Sequence, residues 1–209
     1  MYYLDLCCGS KSLKELFNEN YVGLDIVEKY NPDILVDILE WDYKKYFKEN
    51  GKPFFIWFSP PCNEYSALNN AMPNKTPNIE LANKIVKKGL EIIEYVDCKF
   101  IIENPQTGTL KNQNILDNLY YTDIDYCSYG FPYKKRTRLW NNINFKGELC
   151  KKKLCPFKTN GRHNYSIGNS SYKTNVKEVG NKKTRLLQRY SIPPKLLEKL
   201  NHQLTFLLQ

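Results

Sequence analysis

The feature that most constrains this chain is an apolar run that ends in a rigid, cysteine-bearing turn. Residues 54–58 have the length and composition of a buried strand, and Ser59-Pro60-Pro61-Cys62 follows directly. About 40 residues later the apolar run 100–102 ends in Glu103-Asn104-Pro105. Open α/β sheets place their chemistry at the carboxyl ends of parallel strands. We therefore predict an α/β fold whose site contains the Cys62 thiol and the Glu103 carboxyl group.

Short apolar runs alternate with helical patterns along the chain, and this order predicts the fold class. Strands are predicted at residues 2–6, 21–26, 34–36, 54–58, 100–102, 121–129 and 137–140. Helices are predicted at residues 12–18, 41–48, 77–95, 113–119 and 193–208. Strands that alternate with helices are typical of a sheet covered by helices on both faces. We predict a doubly wound, mostly parallel α/β sheet.

Composition divides the chain into three predicted parts. Residues 1–145 carry the alternating pattern and are predicted to form a catalytic and cofactor-binding α/β domain. Residues 146–190 are polar with little periodicity, which predicts a small irregular insertion. Residues 191–209 contain Pro193-Pro194 followed by leucines on one helical face, so they predict a helix that packs back on the first domain.

Composition also narrows the class of partner and the compartment. The 209 residues carry a formal net charge of +9, which suits nucleic acid, although AT-rich coding would also enrich lysine. No apolar stretch approaches the roughly 18 residues that a membrane helix needs, so no membrane association is expected. Seven cysteines without a secretory pattern indicate free thiols or metal ligands in a reducing compartment. We expect a cytoplasmic protein, or one inside the host cell if the chain is viral, and not a secreted one.

The first predicted strand ends in a small-residue loop that opens a helix. The segment Leu4-Asp5-Leu6-Cys7-Cys8-Gly9-Ser10 has the order typical of sites that bind nucleotide-like cofactors at a helix N-terminus, although it holds only one glycine. Asp25 ends the second strand about 20 residues later, where an acid commonly accepts hydrogen bonds from ribose hydroxyls. Asp37 ends the third strand and is placed to meet an adenine amino group.

Three residue types near the strand ends suggest chemistry, and each has a structural alternative. A rigidly held Cys62 can act as a thiolate nucleophile, whereas a free cysteine is commonly a buried structural residue. Glu103 can act as a proton donor if it is buried, or can begin an exposed loop. Arg136 and Arg138 alternate along a predicted strand, so they share a face that either binds an anionic group or a base oxygen, or forms a solvated edge.

Taken in order, these segments resemble the C5-cytosine methyltransferase family. The resemblance covers about residues 1–140 and the final 20 residues. Its motifs are Asp5-Leu6-Cys7-Cys8-Gly9, Ser59-Pro60-Pro61-Cys62-Asn63-Glu64-Tyr65-Ser66, Glu103-Asn104-Pro105, Arg136-Thr137-Arg138 and Ile192-Pro193-Pro194. The chain departs from the family pattern at Lys11-Ser12, Asn63, Pro105 and Tyr133. Only about 50 residues separate Trp140 from Ile192, where the family usually has a longer target-recognition region.

The resemblance implies a Rossmann-like fold, S-adenosylmethionine as cofactor and methylation of cytosine C5 in DNA. Cys62 would attack C6 of a flipped-out or unpaired cytosine, Glu103 would engage N3, and Arg138 and Arg136 would hold the base oxygen. The implied substrate-binding residues are Pro61, Asn63, Ser66 and Asn104. The implied cofactor-binding residues are Asp5, Leu6, Cys7, Cys8, Gly9, Asp25, Ile26, Asp37, Ile38, Ser59 and Pro60.

The predicted insertion contains candidate phosphate contacts and candidate metal ligands. Lys151-Lys152-Lys153 and Lys182-Lys183 would contact a nucleic-acid backbone, or form a solvated loop. Cys150, Cys155 and His163 can ligate zinc if Cys127 or His202 supplies a fourth ligand, although scattered thiols are the alternative.

Three functions remain open at this stage. The first is methylation of cytosine in DNA, and the second is the same chemistry on RNA or a nucleotide, which the short target-recognition region permits. The third is a catalytically silent homologue that binds nucleic acid or cofactor. The oligomeric state is left open.

Overall fold

The computed structural model describes residues 1–66, 69, 76–166, 177–178 and 190–207, and it contains one seven-stranded sheet. The strand order is β3-β2-β1-β4-β5-β7-β6. The strands are β1 (Tyr3–Leu6), β2 (Tyr21–Asp25), β3 (Ile34–Leu35), β4 (Phe55–Phe58), β5 (Lys99–Pro105), β6 (Tyr121–Asp125) and β7 (Arg136–Asn141). All neighbouring pairs from β3 to β5 are parallel, and β7 runs antiparallel to both β5 and β6. The predicted doubly wound, mostly parallel Rossmann-like sheet is confirmed.

Helices cover both faces of this sheet and produce two hydrophobic clusters. The helices are α1 (Lys14–Phe17), α2 (Tyr43–Asn50), α3 (Ile79–Val96) and α4 (Pro194–Phe206). One cluster joins α2 and α3 to alternate side chains of the sheet, such as Phe58 and Ile102. The other joins α1 and α4 to the opposite side chains, such as Trp57 and Ile101. The buried leucines of α4 are Leu196, Leu197, Leu200 and Leu204.

The longest helix, α3, is held close to the sheet and is fixed at its start. Its buried positions recur at helical spacing, and a Cβ at Gly89 would collide with the Phe58 ring of β4. The Asn78 side chain caps the helix by accepting a 3.0 Å hydrogen bond from the Leu81 amide. The Asn78 amide in turn donates to Glu64 Oε2 at 2.8 Å, so the helix start anchors the loop after Cys62.

The register of β4 and β5 brings the two central motifs to one edge. Phe58 pairs with Ile102 in the parallel ladder, so the turn that follows Phe58 leaves the sheet beside Glu103, which is still part of β5 and pairs with β7. The end of β1 lies on the other side of β4, because Leu6 also pairs with Phe58. The chain order reverses between β1 and β4, which is where open α/β sheets bind their ligands.

Two local predictions are wrong. The helix predicted at residues 113–119 is absent, because the chain forms a 3₁₀ turn at Leu110–Asn112 and Asn114 then takes a left-handed φ of +57°. The strand predicted through residue 129 ends at Asp125, and Tyr126–Tyr129 form a 3₁₀ turn instead. Gly130, with φ +94°, ends this turn and lets the chain return as β7.

The insertion contains two small pairs of strands. The strands β8 (Lys158–Thr159) and β9 (Arg162–His163) form an antiparallel hairpin, whereas β10 (Tyr165–Ser166) pairs in parallel with β11 (Lys177–Glu178). Among the described residues, no helix is both long and apolar enough to cross a membrane.

Candidate active site

The turn that carries Cys62 is fixed by hydrogen bonds to both neighbouring strands. The Ser59 amide donates to the Leu6 carbonyl of β1 at 3.1 Å. The buried Asn104 Nδ2 donates to the Pro60 carbonyl at 3.0 Å, which links the turn to the end of β5. Asn104 Oδ1 is buried without a hydrogen-bond partner among the described residues, so it can still accept one. The half-buried Cys62 is therefore held on a rigid support at the sheet edge.

Residues 63–65, directly after Cys62, are also held by hydrogen bonds to their backbone. Asn69 Nδ2 donates to the carbonyls of Asn63 at 2.7 Å and Glu64 at 3.0 Å. The Thr109 amide donates to the Tyr65 carbonyl at 2.8 Å. Pro61 and Asn63 are exposed beside Cys62, and Ser66 is half-buried. A substrate-binding role for these three residues stays a prediction.

Glu103 lies in a buried group of polar side chains beside the Cys62 turn. The Tyr126 hydroxyl donates to Glu103 Oε1 at 3.3 Å, and Lys135 Nζ lies 3.5 Å from the same oxygen. Lys135 Nζ also lies 4.7 Å from the centroid of the Tyr126 ring. Burial raises the pKa of Tyr126 well above its usual range, and negative charge on Glu103 and Cys62 raises it further. The phenol therefore stays protonated and acts as a hydrogen-bond donor to Glu103.

The structure turns Arg136 and Arg138 away from the face of the sheet that carries Glu103, which does not support their expected role at the base oxygen. Arg136 forms a two-point ion pair with Asp125 at 3.0 and 2.8 Å, and Arg138 pairs with Asp123 at 2.8 and 3.0 Å. The two arginines share one face of β7, as expected. The alternative of a solvated edge strand does not hold, because β7 lies between β5 and β6.

The cause of this difference is the register between β5 and β7. Glu103 pairs with Leu139, whereas Arg138 pairs with Asn104, so Glu103 and Arg138 point to opposite faces of the sheet. Lys135 has the opposite parity to the two arginines and contacts Glu103. Lys135 and Tyr126 are absent from the sequence-based prediction, although the odd–even offset of Lys135 from the two arginines, directly before β7, is a signal for Lys135.

The edge formed by β1 and β2 has features that suit a nucleoside-bearing cofactor. Asp25 Oδ2 accepts a 2.9 Å hydrogen bond from the Gly9 amide, and Asp25 Oδ1 accepts a 2.8 Å bond from the Val27 amide. Gly9 has φ +48°, and a Cβ there would meet nothing within 4 Å, so its backbone faces open space. The apolar side chain of Ile26 is 62% exposed next to this acid.

Other expected cofactor residues are placed differently. The side chains of Leu6, Cys8 and Ile38 are buried in the hydrophobic clusters, so these residues can meet a cofactor only through their backbones. Asp37 Oδ1 accepts a 2.9 Å hydrogen bond from the Leu39 amide at the end of β3. Cys7 takes a left-handed φ of +61°, which turns the chain sharply at the end of β1.

Asp5 is buried rather than presented to a ligand, and this predicts a pH effect on stability. Its Oδ2 accepts a 2.9 Å hydrogen bond from the Tyr21 hydroxyl, and burial raises its pKa to about 8. Between about pH 4 and that value the folded state holds a proton that the unfolded state has lost, so stability falls as pH rises, by up to about 1.4 kcal/mol per pH unit. Asp5→Asn is expected to remove this slope in urea unfolding measured from about pH 5 to pH 8. Parallel pH dependences of the two proteins would contradict the assignment.

The candidate metal ligands of the insertion lie together in the structure. Of the lysines expected to contact phosphates, only some lie in the described part of the chain. Cys150, Cys155 and His163 are joined by Cys127 from the turn after β6. Lys151-Lys152-Lys153 are exposed beside this group, whereas Lys182 and Lys183 lie outside the described residues.

Comparison with known proteins identifies the family. No protein-family model matches the chain. The chain is 34% identical over 219 residues to the probable DNA (cytosine-5)-methyltransferase of frog virus 3 (isolate Goorha), a match that covers 96% of this chain and 98% of the relative. Among solved structures it is similar to a mutant of Spodoptera frugiperda DNMT2, with a TM-score of 0.45 and 14% identity, over 69% of this chain and 51% of that one. On the near full-length match to the frog virus 3 protein, the chain belongs to the DNA (cytosine-5)-methyltransferase family.

Proposed function

We propose that this chain transfers a methyl group from S-adenosylmethionine to C5 of cytosine in DNA. The observation that carries the proposal is the joint support of Cys62 and Glu103. The 3.0 Å hydrogen bond from Asn104 Nδ2 to the Pro60 carbonyl connects the turn before Cys62 to the residue after Glu103. A thiol and a carboxyl group held on adjacent strand ends match what attack on a cytosine ring needs.

Cys62 is proposed as the nucleophile. Its thiolate would form a bond to C6 of the ring, and the electron pair of the C5–C6 double bond would become available at C5. After C5 has received the methyl group, loss of the C5 proton would restore the double bond and release the Cys62 thiolate. The single bond between the Cys62 sulfur and C6 forms in the first step and breaks in the last, the C5 proton would pass to water, and the methyl donor would leave as S-adenosylhomocysteine, so the enzyme would return to its starting state.

Glu103 is proposed to engage N3 of the cytosine and so to make the ring a better acceptor of the thiolate. Tyr126 donates to Glu103 Oε1, and Lys135 is 3.5 Å from that oxygen, so both hold the carboxyl group in one orientation. Because these three side chains are buried or nearly so, their electrostatic interactions are stronger than they would be in water. We assign to Lys135 the positive charge that the sequence analysis expected from Arg138.

The residues at the β1–β2 edge fit S-adenosylmethionine, which supplies an electrophilic methyl group when it is bound. The Asp25 carboxylate uses one lone pair on each oxygen for a backbone amide and keeps further acceptor capacity for ribose hydroxyls. The open backbone at Gly9 admits the close approach of a ligand, and the exposed Ile26 offers an apolar surface to a base. The Cys62 turn is hydrogen-bonded to Leu6 of β1, so the cofactor edge and the thiol are adjacent.

The net charge of the chain and the position of the Cys62 thiol support a nucleic acid as the substrate. The net charge of +9 suits a polyanion, and a thiol fixed at the sheet edge cannot reach C6 of a stacked, paired base. We therefore propose that the target cytosine is unpaired or leaves the duplex before it reacts. We further propose that Lys151-Lys152-Lys153, which are exposed, contact phosphates.

The test uses purified protein and S-adenosylmethionine labelled in its methyl group. Duplex DNA, single-stranded DNA and RNA are offered in parallel, and the modified nucleoside is identified after digestion. We expect label in DNA as 5-methylcytosine. Label found only in RNA would show that RNA, and not DNA, is the substrate. Absence of label on all polymers, with DNA binding retained, would instead support a catalytically silent homologue.

A further inference from the structure

Three cysteines and one histidine outside the active site converge on one point. Cys127, Cys150, Cys155 and His163 each offer one ligand atom, and all four atoms lie within 4.8 Å of one another. Cys127 and Cys155 are buried, and Cys150 and His163 are half-buried. None of the four has a place in the proposed methyl transfer.

The separations between these atoms fit a tetrahedral metal ion. His163 Nε2 lies 3.7 Å from Cys150 Sγ and 3.5 Å from Cys155 Sγ. A zinc ion bound at about 2.3 Å to sulfur and about 2.0 Å to nitrogen requires a sulfur–nitrogen edge of about 3.5 Å. His163 thus already stands close to the distance from two of the cysteine sulfurs that a shared metal ion imposes, and all four ligand atoms are near enough to converge on one ion.

The local backbone explains how His163 reaches the cysteines. Lys158 pairs with His163 in the β8–β9 hairpin, and the two residues of its turn, Asn160 and Gly161, have φ values of +51° and +79°. Positive φ at both positions is what a tight two-residue hairpin turn requires. The hairpin therefore returns the chain so that His163 faces Cys155, eight residues earlier.

We propose that Cys127, Cys150, Cys155 and His163 bind one Zn²⁺ ion in a closed, structural site. Three thiolates and one imidazole are a donor set that zinc prefers, and four protein ligands leave no open position for catalysis. Cys127 follows directly after Tyr126, whose hydroxyl donates to Glu103. The ion would therefore fasten residues 150–163 to the turn that positions Tyr126.

Existing hydrogen bonds already bring this segment to the end of β6. The Cys150 amide donates to Asp125 Oδ2 at 2.9 Å, and the Asp125 amide donates to the Glu148 carbonyl at 3.0 Å. These bonds fix the backbone near Cys150, and a β-bridge between Tyr133 and Tyr165 lies just beyond the hairpin. A metal ion would add a direct link between the hairpin and the sheet.

The test measures zinc in the purified full-length protein after exhaustive dialysis. We expect about one zinc ion per chain, released into a colorimetric chelator when the thiols are modified by a mercurial. Replacement by cobalt is expected to give thiolate charge-transfer absorption together with the intense visible bands of a tetrahedral site. Cys150→Ser is expected to retain less than about one fifth of the wild-type zinc content.

Cys98→Ser is the matched control, because Cys98 is also half-buried but lies outside the four-residue group. It is expected to keep the full zinc content. The proposal would be overturned if protein purified in the presence of added zinc held no zinc and if all three cysteines reacted with a thiol reagent. An intact mass that shows a disulfide among Cys127, Cys150 and Cys155 would overturn it as well. Both outcomes are read on the wild-type protein, so they do not depend on whether a variant folds.

Discussion

Replacing Cys62 by alanine is expected to lower methyl transfer by at least about a thousandfold, while binding of DNA and cofactor stays close to that of the wild type. The reason is that the half-buried thiol is the group placed to form the bond to C6 at the edge shared by β4 and β5. The hydrogen bond between Asn104 and Pro60 does not involve the Cys62 side chain, so the turn keeps its shape. Single-turnover transfer of labelled methyl groups and a DNA mobility shift measure the two properties separately.

Cys98→Ala serves as the matched control for this experiment. Cys98 is half-buried like Cys62, but it directly precedes Lys99, the first residue of β5, and so lies at the opposite end of that strand from Glu103. Its replacement is expected to leave the transfer rate within about threefold of the wild type. A Cys62→Ala protein that keeps more than a tenth of the wild-type rate would exclude Cys62 as the nucleophile.

The end of a buried strand is a strong sequence signal, and this explains which parts of the site could be predicted. The apolar runs before Ser59 and Glu103 are continuous and are followed at once by polar or rigid residues. Parallel neighbours then place both segments at one edge without any detail of the loops. The positions of Cys62 and Glu103 follow from this local pattern and from the order of the strands.

The sequence does not show in the same way to which face of the sheet each side chain of β7 points. It depends on where β6 ends and on how many residues turn the chain back, and the 3₁₀ turn at Tyr126–Tyr129 is not visible as a period in the sequence. A shift of one residue moves every side chain of a strand to the other face. The sequence pattern therefore favoured Arg136 and Arg138, whereas the structure places Lys135, directly before β7, beside Glu103.

The cysteine and histidine cluster shows a second limit of sequence reasoning. Cys127 lies in the turn after β6, whereas Cys150, Cys155 and His163 come from the insertion, so no short motif contains all four. Cys127 comes close to the other three residues because the chain runs back through β7 before it enters the insertion. Only the structure shows that Cys127, rather than His202, lies beside the other three residues.

Lys135→Met is expected to lower kcat/KM by about a hundredfold and also to cost stability, since it leaves the buried Glu103 carboxyl group without its cation, whereas Arg138→Met is expected to cost stability with little loss of kcat/KM. Lys135 Nζ is 3.5 Å from Glu103 Oε1, so its loss removes the positive charge beside the proposed catalytic carboxyl group. Arg138 makes a two-point pair with Asp123 at 2.8 and 3.0 Å, and its guanidinium carbon lies 3.7 Å from the Tyr121 ring centroid. Its loss leaves a partly buried carboxylate without its partner, which costs about 2 kcal/mol of unfolding free energy.

Two further variants make this comparison decisive. Lys135→Arg keeps the positive charge and is expected to recover most of the activity, mainly in kcat, because Lys135 positions Glu103 rather than binding the polymer. Lys134→Met is the matched control, since Lys134 is 41% exposed and lies 3.9 Å from Asp125 rather than near Glu103. Kinetics and urea unfolding are measured on all four variants at a temperature where each is folded. A large activity loss in Arg138→Met with none in Lys135→Met would restore Arg138 as the functional cation, because each variant is assayed where it is folded and a lower rate then reports the role of the side chain in the reaction.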